Sequence, residues 1–394
     1  MTNDTAWSKF WSLDPTVTFL NHGSFGACPI PVLQVQQELR DRLERQPLHF
    51  FGREWEGLLD QARRELAAFV GADPEELAFV PNATTGVNTV LRSLLPQFGP
   101  GDELLTTNHE YNACRNGLNF VAEQTGATVV VAEVPFPIAD PDQVVEAVLA
   151  RASSRTRLAL VDHVSSQTAL IFPLAELVGQ LADRGIPTLV DGAHAPGMIP
   201  LNLSAIGAAY YTGNCHKWLC APKGAAFLYV PPDRQGTLRP LTISHGANSP
   251  RRDRSFFHLE FDWTGTGDPT AYLAVPEAIR FLGSLLPGGW PELMASNHDR
   301  VLQARQLLSQ TLSIPLPAPA EMIGAMATLP LPEGLPESLY EILLEQFQIE
   351  VPIIPWTSPH SRLIRISAQI YNQPNQYQHL ARSLLQLHQE RDFS

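Results

Sequence analysis

Short apolar runs alternate along most of the chain with longer stretches whose apolar residues recur every three or four positions. The runs Ala78–Val80, Glu103–Thr106, Thr128–Val131, Leu158–Val161, Thr188–Val190, Ala208–Tyr211 and Ala226–Val230 predict strands. The helical spacing between them predicts helices over Thr85–Leu95, Asn112–Gln124, Pro141–Arg151 and Pro173–Arg184. Strand and helix in turn predict an α/β core, a mostly parallel sheet covered by helices on both faces. Two earlier helical stretches, Pro31–Arg45 and Glu54–Val70, precede the first strand and are expected to pack around the rim of that core.

After Pro276 the pattern changes. Helices are predicted over Pro276–Leu285 and Glu292–Leu312, and then Pro315, Pro317, Pro319, Pro330, Pro332 and Pro336 break the chain. A proline donates no ladder hydrogen bond, so these positions belong to edges and loops. Leu363-Ile364-Arg365-Ile366-Ser367 alternates as a strand, and Gln376–Gln389 reads as an amphipathic helix. The pattern therefore predicts a large α/β unit over residues 21–275 and a smaller α+β unit built from 1–20 with 276–394.

Charge narrows the possible partners. The 394 residues carry 27 Lys and Arg against 40 Asp and Glu, a net charge of −13, which repels a phosphate backbone and argues against nucleic-acid binding. The one dense basic run, Arg251-Arg252-Asp253-Arg254, reads as a solvated loop. The first twenty residues lack the basic start and apolar stretch of a secretory signal, and no apolar run reaches the length needed to cross a bilayer. A soluble, cytoplasmic protein with no membrane partner is expected. Cys215 and Cys220 flank His216, but no second ligand pair follows, so all four cysteines read as reduced, buried, small hydrophobes.

Three segments carry candidate chemistry. Pro81-Asn82-Ala83-Thr84-Thr85-Gly86 leaves a strand and opens a helix; its exposed N–H groups and two hydroxyls suit either a phosphate or an ordinary helix cap. Asp191 stands directly after an apolar strand, at the edge where open α/β sheets bind ligands. A buried carboxylate there needs a cationic partner, supplied by a ligand or by a Lys or Arg of the fold. Lys217, in Gly213-Asn214-Cys215-His216-Lys217-Trp218, lies at a strand exit instead of on a solvated helix face. One loop and one strand separate it from Asp191, so the two can meet in a single cleft.

In their order and spacing these segments resemble the fold-type-I enzymes that use pyridoxal 5'-phosphate, within them the class V aminotransferase superfamily. The openings Asn21-His22-Gly23-Ser24-Phe25-Gly26, His109-Glu110-Tyr111-Asn112-Ala113 and the Lys217 segment are most similar to its isopenicillin N epimerase-like branch. The resemblance runs to Asn372 and implies an aspartate aminotransferase-like fold with a smaller α+β C-terminal domain. It implies that Lys217 forms a Schiff base with the cofactor aldehyde and that Asp191 keeps the pyridine nitrogen protonated, making the ring an electron sink. Thr84, Thr85, Asn214 and His216 match phosphate-holding positions, Tyr111 an aromatic ring over the cofactor, and Ser166 and His194 groups within reach of its phenolic oxygen. Arg365 matches the arginine that binds the substrate's α carboxylate in two hydrogen bonds, and Asn21 and His22 lie on the substrate side. Trp263-Thr264-Gly265-Thr266-Gly267 resembles a segment that relatives reach across a homodimer interface, bringing Thr266 to the neighbour's phosphate.

The implied substrate is an amino acid or a derivative of one. The cofactor alone does not select the bond that breaks, and the superfamily contains transaminases, desulfurases, lyases and epimerases. Val351–His360, before Arg365, contains no cysteine, which argues against a persulfide-forming desulfurase. Epimerisation leads: Lys217 removes the α proton and a second acid, with Tyr111 the candidate, returns one on the other face. A carbon–sulfur lyase or an aminotransferase shares the first step. Two other classes are a nicotinamide enzyme, for which the first strand–helix junction lacks GxGxxG, and a non-catalytic cofactor-binding protein.

Overall fold

The computed structural model describes residues 6–389; residues 1–5 and 390–394, assigned above to the smaller unit, lie outside the described residues. The strands are β1 (Thr18–Phe19), β2 (Leu77–Val80), β3 (Glu103–Thr107), β4 (Thr128–Ala132), β5 (Thr156–Asp162), β6 (Thr188–Asp191), β7 (Tyr210–Asn214), β8 (Ala226–Tyr229), β9 (Met326–Pro330), β10 (Ile349–Glu350), β11 (Ile353–Trp356) and β12 (Ser358–Ser367). Seven of them form one sheet in the order β2-β8-β7-β6-β5-β3-β4. All its pairings are parallel except those of β8, which is antiparallel to β2 and β7. The carboxyl ends of β2, β3, β5, β6 and β7 therefore share one edge.

Side chains alternate across this sheet. Leu105, Ala159, Val161, Val190 and Tyr211 enter one apolar cluster, and their neighbours Leu104, Leu158, Leu160, Leu189 and Tyr210 enter another on the opposite face. Both faces are dry, which is why these strands read as continuous apolar runs. Strand β7 is displaced from its expected span toward Asn214. Thr212 and Gly213 have turn-like chemistry, but Thr212 Oγ1 donates to the Phe227 carbonyl at 2.8 Å, so its hydroxyl is satisfied inside the sheet.

A second sheet, β11-β12-β9, is antiparallel, and Pro355 sits on its edge strand β11, as proline requires. Ile364 and Ile366 of β12 and Ala327 and Leu329 of β9 join Val301, Leu308, Leu380 and Leu384 in a third cluster. Strand β1 pairs in parallel with β10, which ties the early chain to this part of the molecule. Arg251 and Arg254 are not free cations in solvent as their sequence suggests. Arg251 pairs with Glu56 at 2.5 Å, and Arg254, 12% exposed, pairs with Asp60 and Asp262. Among the described residues no helix is long and apolar enough to cross a membrane.

Candidate active site

Parallel strands deliver three carboxyl groups to the common edge. Asp162 and Asp191 are in-register partners at the ends of β5 and β6, and Glu110 follows β3. All three are buried. Asp191 accepts from the Ala193 N–H and from the Cys114 thiol, each at 3.0 Å, and among the described residues no lysine or arginine forms an ion pair with it. Neither carboxyl oxygen of Glu110 finds a hydrogen-bond partner of good geometry, and neither does Asp162 Oδ2. Burial, and then the charges of Asp162 and Asp191, push Glu110 well above the usual carboxyl range; burial and Asp191 do the same to Asp162. Asp191 thus stands beside two acids whose charged forms burial disfavours, with no lysine or arginine of the described residues paired to it, and a cation from outside the chain fits there. Sequence reasoning missed this cluster, although Leu158–Asp162 repeats the pattern of an apolar strand ending in aspartate that singled out Asp191.

Lys217 lies in the loop after β7, partly open to the cleft. Its Nζ is 3.1 Å from His194 Nε2. Burial, then the positive charge of Arg365, lowers it to about 8, with Asp191 opposing. The loop is gripped from two sides. His22 Nδ1 accepts from the Tyr371 hydroxyl at 2.8 Å and from the Ala27 N–H at 3.3 Å, which leaves Nε2–H to donate to the Lys217 carbonyl at 3.1 Å. Both ring nitrogens of His22 are therefore taken by the chain; it backs the lysine and does not present a free edge to a substrate. Gly26 and Gly197, both at positive φ, touch the same loop. A Cβ on Gly26 would lie 2.3 Å from the His216 carbonyl oxygen and 2.8 Å from that of Lys217, and one on Gly197 would lie 2.6 Å from the Trp218 carbonyl. Gly26→Ala is expected to combine a left-handed backbone with this clash and to lower stability by about 3 kcal/mol; its urea midpoint, compared with that of the unaltered protein, measures the loss.

The helix Ala83–Leu94 starts at the same edge. Asn82 caps it by accepting from the Thr85 N–H at 2.8 Å and the Thr85 hydroxyl at 3.0 Å, and Asn214 Oδ1 accepts from the Ala83 N–H at 2.8 Å. The Thr84 N–H and hydroxyl have no partner among the described residues, so a helix-start donor pair is available to an anion. Asn214 holds this helix start against β7. The His216 backbone N–H and Nδ1–H both donate to the Ala225 carbonyl, at 3.1 and 3.0 Å, and burial lowers the ring to about 4, so its Nε2 meets an anion as a donor only after protonation. Thr266 lies in an exposed loop and does not join these groups within one chain; its neighbours Gly265 and Gly267 face Thr85 across a cavity of about 280 Å³.

Arg365 reaches the cleft from β12. It is buried; Nη1 donates to the Ser166 carbonyl at 2.5 Å and lies 3.3 Å from its hydroxyl, while Nη2 donates to Ser24 Oγ at 2.9 Å. Ser24 in turn donates to Asn21 Oδ1 at 2.5 Å. Ser166 and Asn21 thus orient the guanidinium, Ser166 directly and Asn21 through Ser24, and the Arg365 Nε–H has no partner among the described residues. Burial lowers Arg365 to about 10, opposed by the Tyr111 phenol. Tyr111 is 45% exposed and close enough to Arg365 to act on its charge, so it is not a core tyrosine.

An amine near Asp191, an anion cradle with an unpartnered N–H and hydroxyl, a buried carboxylate without a cation and a buried arginine converge at one sheet edge. This donor set fits pyridoxal phosphate: an aldehyde for Lys217, a protonated ring nitrogen for Asp191 and a phosphate for Thr84 and its neighbours.

Comparison with known proteins agrees. The profile of the family described as aminotransferase class-V matches residues 27–380. The isopenicillin N epimerase of Amycolatopsis lactamdurans is 38% identical over 403 aligned residues, covering 97% of this chain and 99% of its own. A probable chloroplastic L-cysteine desulfhydrase of Arabidopsis thaliana is 30% identical, covering 95% of this chain and 83% of its own. Among solved structures, a cysteine desulfurase of Thermococcus onnurineus superposes with a TM-score of 0.81 at 20% identity, covering 97% of each chain. A cystine C–S lyase in complex with cysteine persulfide superposes with 0.79 at 22%, covering 94% of this chain and 98% of its own.

Proposed function

The chain belongs to the aminotransferase class-V family of pyridoxal-phosphate enzymes, and on that premise we propose that it epimerises the α carbon of an amino acid or amino-acid derivative. The observation that carries the reading is the placement of the Lys217 amine 3.1 Å from His194 in a cleft that also holds Asp191 and Arg365. Bound there, the cofactor supplies an aldehyde that condenses with amines and a ring that delocalises the electron pair left when an α substituent departs.

The chain's own groups do the rest. Residues 21–275 would hold the cofactor: Thr84 offers its free N–H and hydroxyl to the phosphate, Thr85 and Asn214 stand beside it holding the helix start, His216 joins as a donor only when protonated, and Asp191 would face the ring nitrogen, His194 the phenolic oxygen and Tyr111 the ring face. The smaller unit, of which residues 6–20 and 276–389 are described, brings Arg365 to the substrate carboxylate, oriented by Ser166 and by Asn21 through Ser24. His22 holds the backbone of Lys217. Lys217 Nζ takes the α proton from one side, and the Tyr111 hydroxyl returns one from the other. A second copy completes the site by bringing Thr266 to its neighbour's phosphate, making a homodimer, and the enzyme works in the cytoplasm.

The test is incubation in deuterated water with single enantiomers from an amino-acid panel. Deuterium entry at the α carbon with loss of optical purity and without keto acid supports epimerisation. Sulfide with pyruvate from cysteine would replace it with the lyase reading, which the L-cysteine desulfhydrase relatives favour. A free Lys217 amine is the active form and is held to about 8, so kcat is expected to rise with pH, reach half its maximum near that point and level off above it. A pH profile that falls across this range contradicts Lys217 as the base.

A further inference from the structure

The Trp218 indole N–H donates to His194 Nδ1 at 3.4 Å, and indole nitrogen has no other hydrogen-bonding role than donor. Trp218 is buried, so solvent offers its N–H no alternative. His194 is buried as well and is faced by Lys217, Arg365, His216 and His22, all basic, which together with burial keep its ring neutral. A neutral imidazole carries one proton. Since Nδ1 accepts, that proton is on Nε2, the atom turned toward Lys217.

We propose that Trp218 is a positioning residue: by locking the His194 proton on Nε2, it makes the Lys217 amine a hydrogen-bond acceptor and so holds that lysine in its unprotonated form. An ammonium at Nζ would oppose donor to donor across 3.1 Å, whereas an amine offers its lone pair. With the cofactor bound, the same Nε2–H would be available as a donor to its phenolic oxygen, so the indole would set the hydrogen-bond sense toward that group as well. The second half of this inference rests on Lys217 being the base; the tautomer does not.

The experiment is nitrogen NMR on the full-length holoenzyme labelled with 15N-histidine, with the His194 signals identified by their loss in His194→Gln. The expected spectrum has a protonated Nε2 and a bare Nδ1 at neutral pH. A proton on Nδ1 in the unaltered enzyme overturns the proposal, whatever any variant does. Trp218→Phe keeps the ring and removes the N–H. It is expected to mix the two tautomers and to move the rising limb of the kcat profile upward by about one pH unit, toward the ordinary lysine range. A well-folded Trp218→Phe enzyme with both the tautomer and the limb unmoved also overturns it. Loss of Lys217 function as base would leave the NMR result standing, so the two readings fail separately.

Discussion

Lys217→Ala is expected to yield a folded protein with no measurable turnover and without the visible absorption of covalently held cofactor. The fold survives because the lysine side chain makes no ion pair among the described residues, and its removal relieves repulsion from Arg365. The cleft keeps its shape because the loop is fixed through the backbone: the Lys217 carbonyl still accepts from His22. Catalysis loses both a covalent anchor and a proton carrier, and the combined loss is about 10⁴-fold or more in kcat. Small primary amines added to the variant restore part of the rate if the missing group is a base. Absorption scans, circular dichroism and a turnover assay decide the matter, and a variant that retained both absorption and turnover would remove the lysine from the mechanism.

Asp191→Asn is expected to lower kcat by about 10³-fold while leaving the fold intact. An amide oxygen in place of Oδ1 can still accept from the Ala193 N–H, and the amide nitrogen in place of Oδ2 donates to the Cys114 sulfur instead of accepting from its thiol, so the local contacts persist with one bond reversed. Charge is what disappears. With Asp191 at the ring nitrogen as proposed, loss of the carboxylate would remove that nitrogen's counter-ion, and the site would no longer favour the protonated ring that absorbs an electron pair. The neighbouring acids respond in the opposite direction: Glu110 and Asp162 are raised in part by Asp191, so both are released toward ordinary carboxyl behaviour. The variant is therefore expected to be at least as stable as the parent in urea while nearly inactive. A large drop in stability would show that the carboxylate has a structural partner.

The sheet and its active edge were legible in the sequence because strands buried on both faces leave uninterrupted apolar runs, and each run ends where chemistry begins. Asp191 and Lys217 stood out on that ground. Glu110, Asp162 and Cys114 did not, since their meeting depends on the strand order that sets β3 beside β5 and β5 beside β6. The role of His22 was hidden for a related reason: its partners, Lys217 and Tyr371, lie far away along the chain. Strands β9, β10 and β11 were also not read, being short or interrupted by proline, with identity conferred by their neighbours more than by their own residues. The contact of Ser166 with Arg365 was not legible in the sequence either, since the two lie 199 positions apart.

One imidazole bridges residues 195 positions downstream at Lys217 and 349 positions downstream at Tyr371. A ribosome makes the chain from the amino end, so the lysine loop emerges and meets its sheet while Tyr371 is still unmade. Until the last segment is released, His22 lacks the hydroxyl that orients it. A nascent chain stalled before Tyr371 therefore carries the lysine loop without the finished grip of His22 on its backbone.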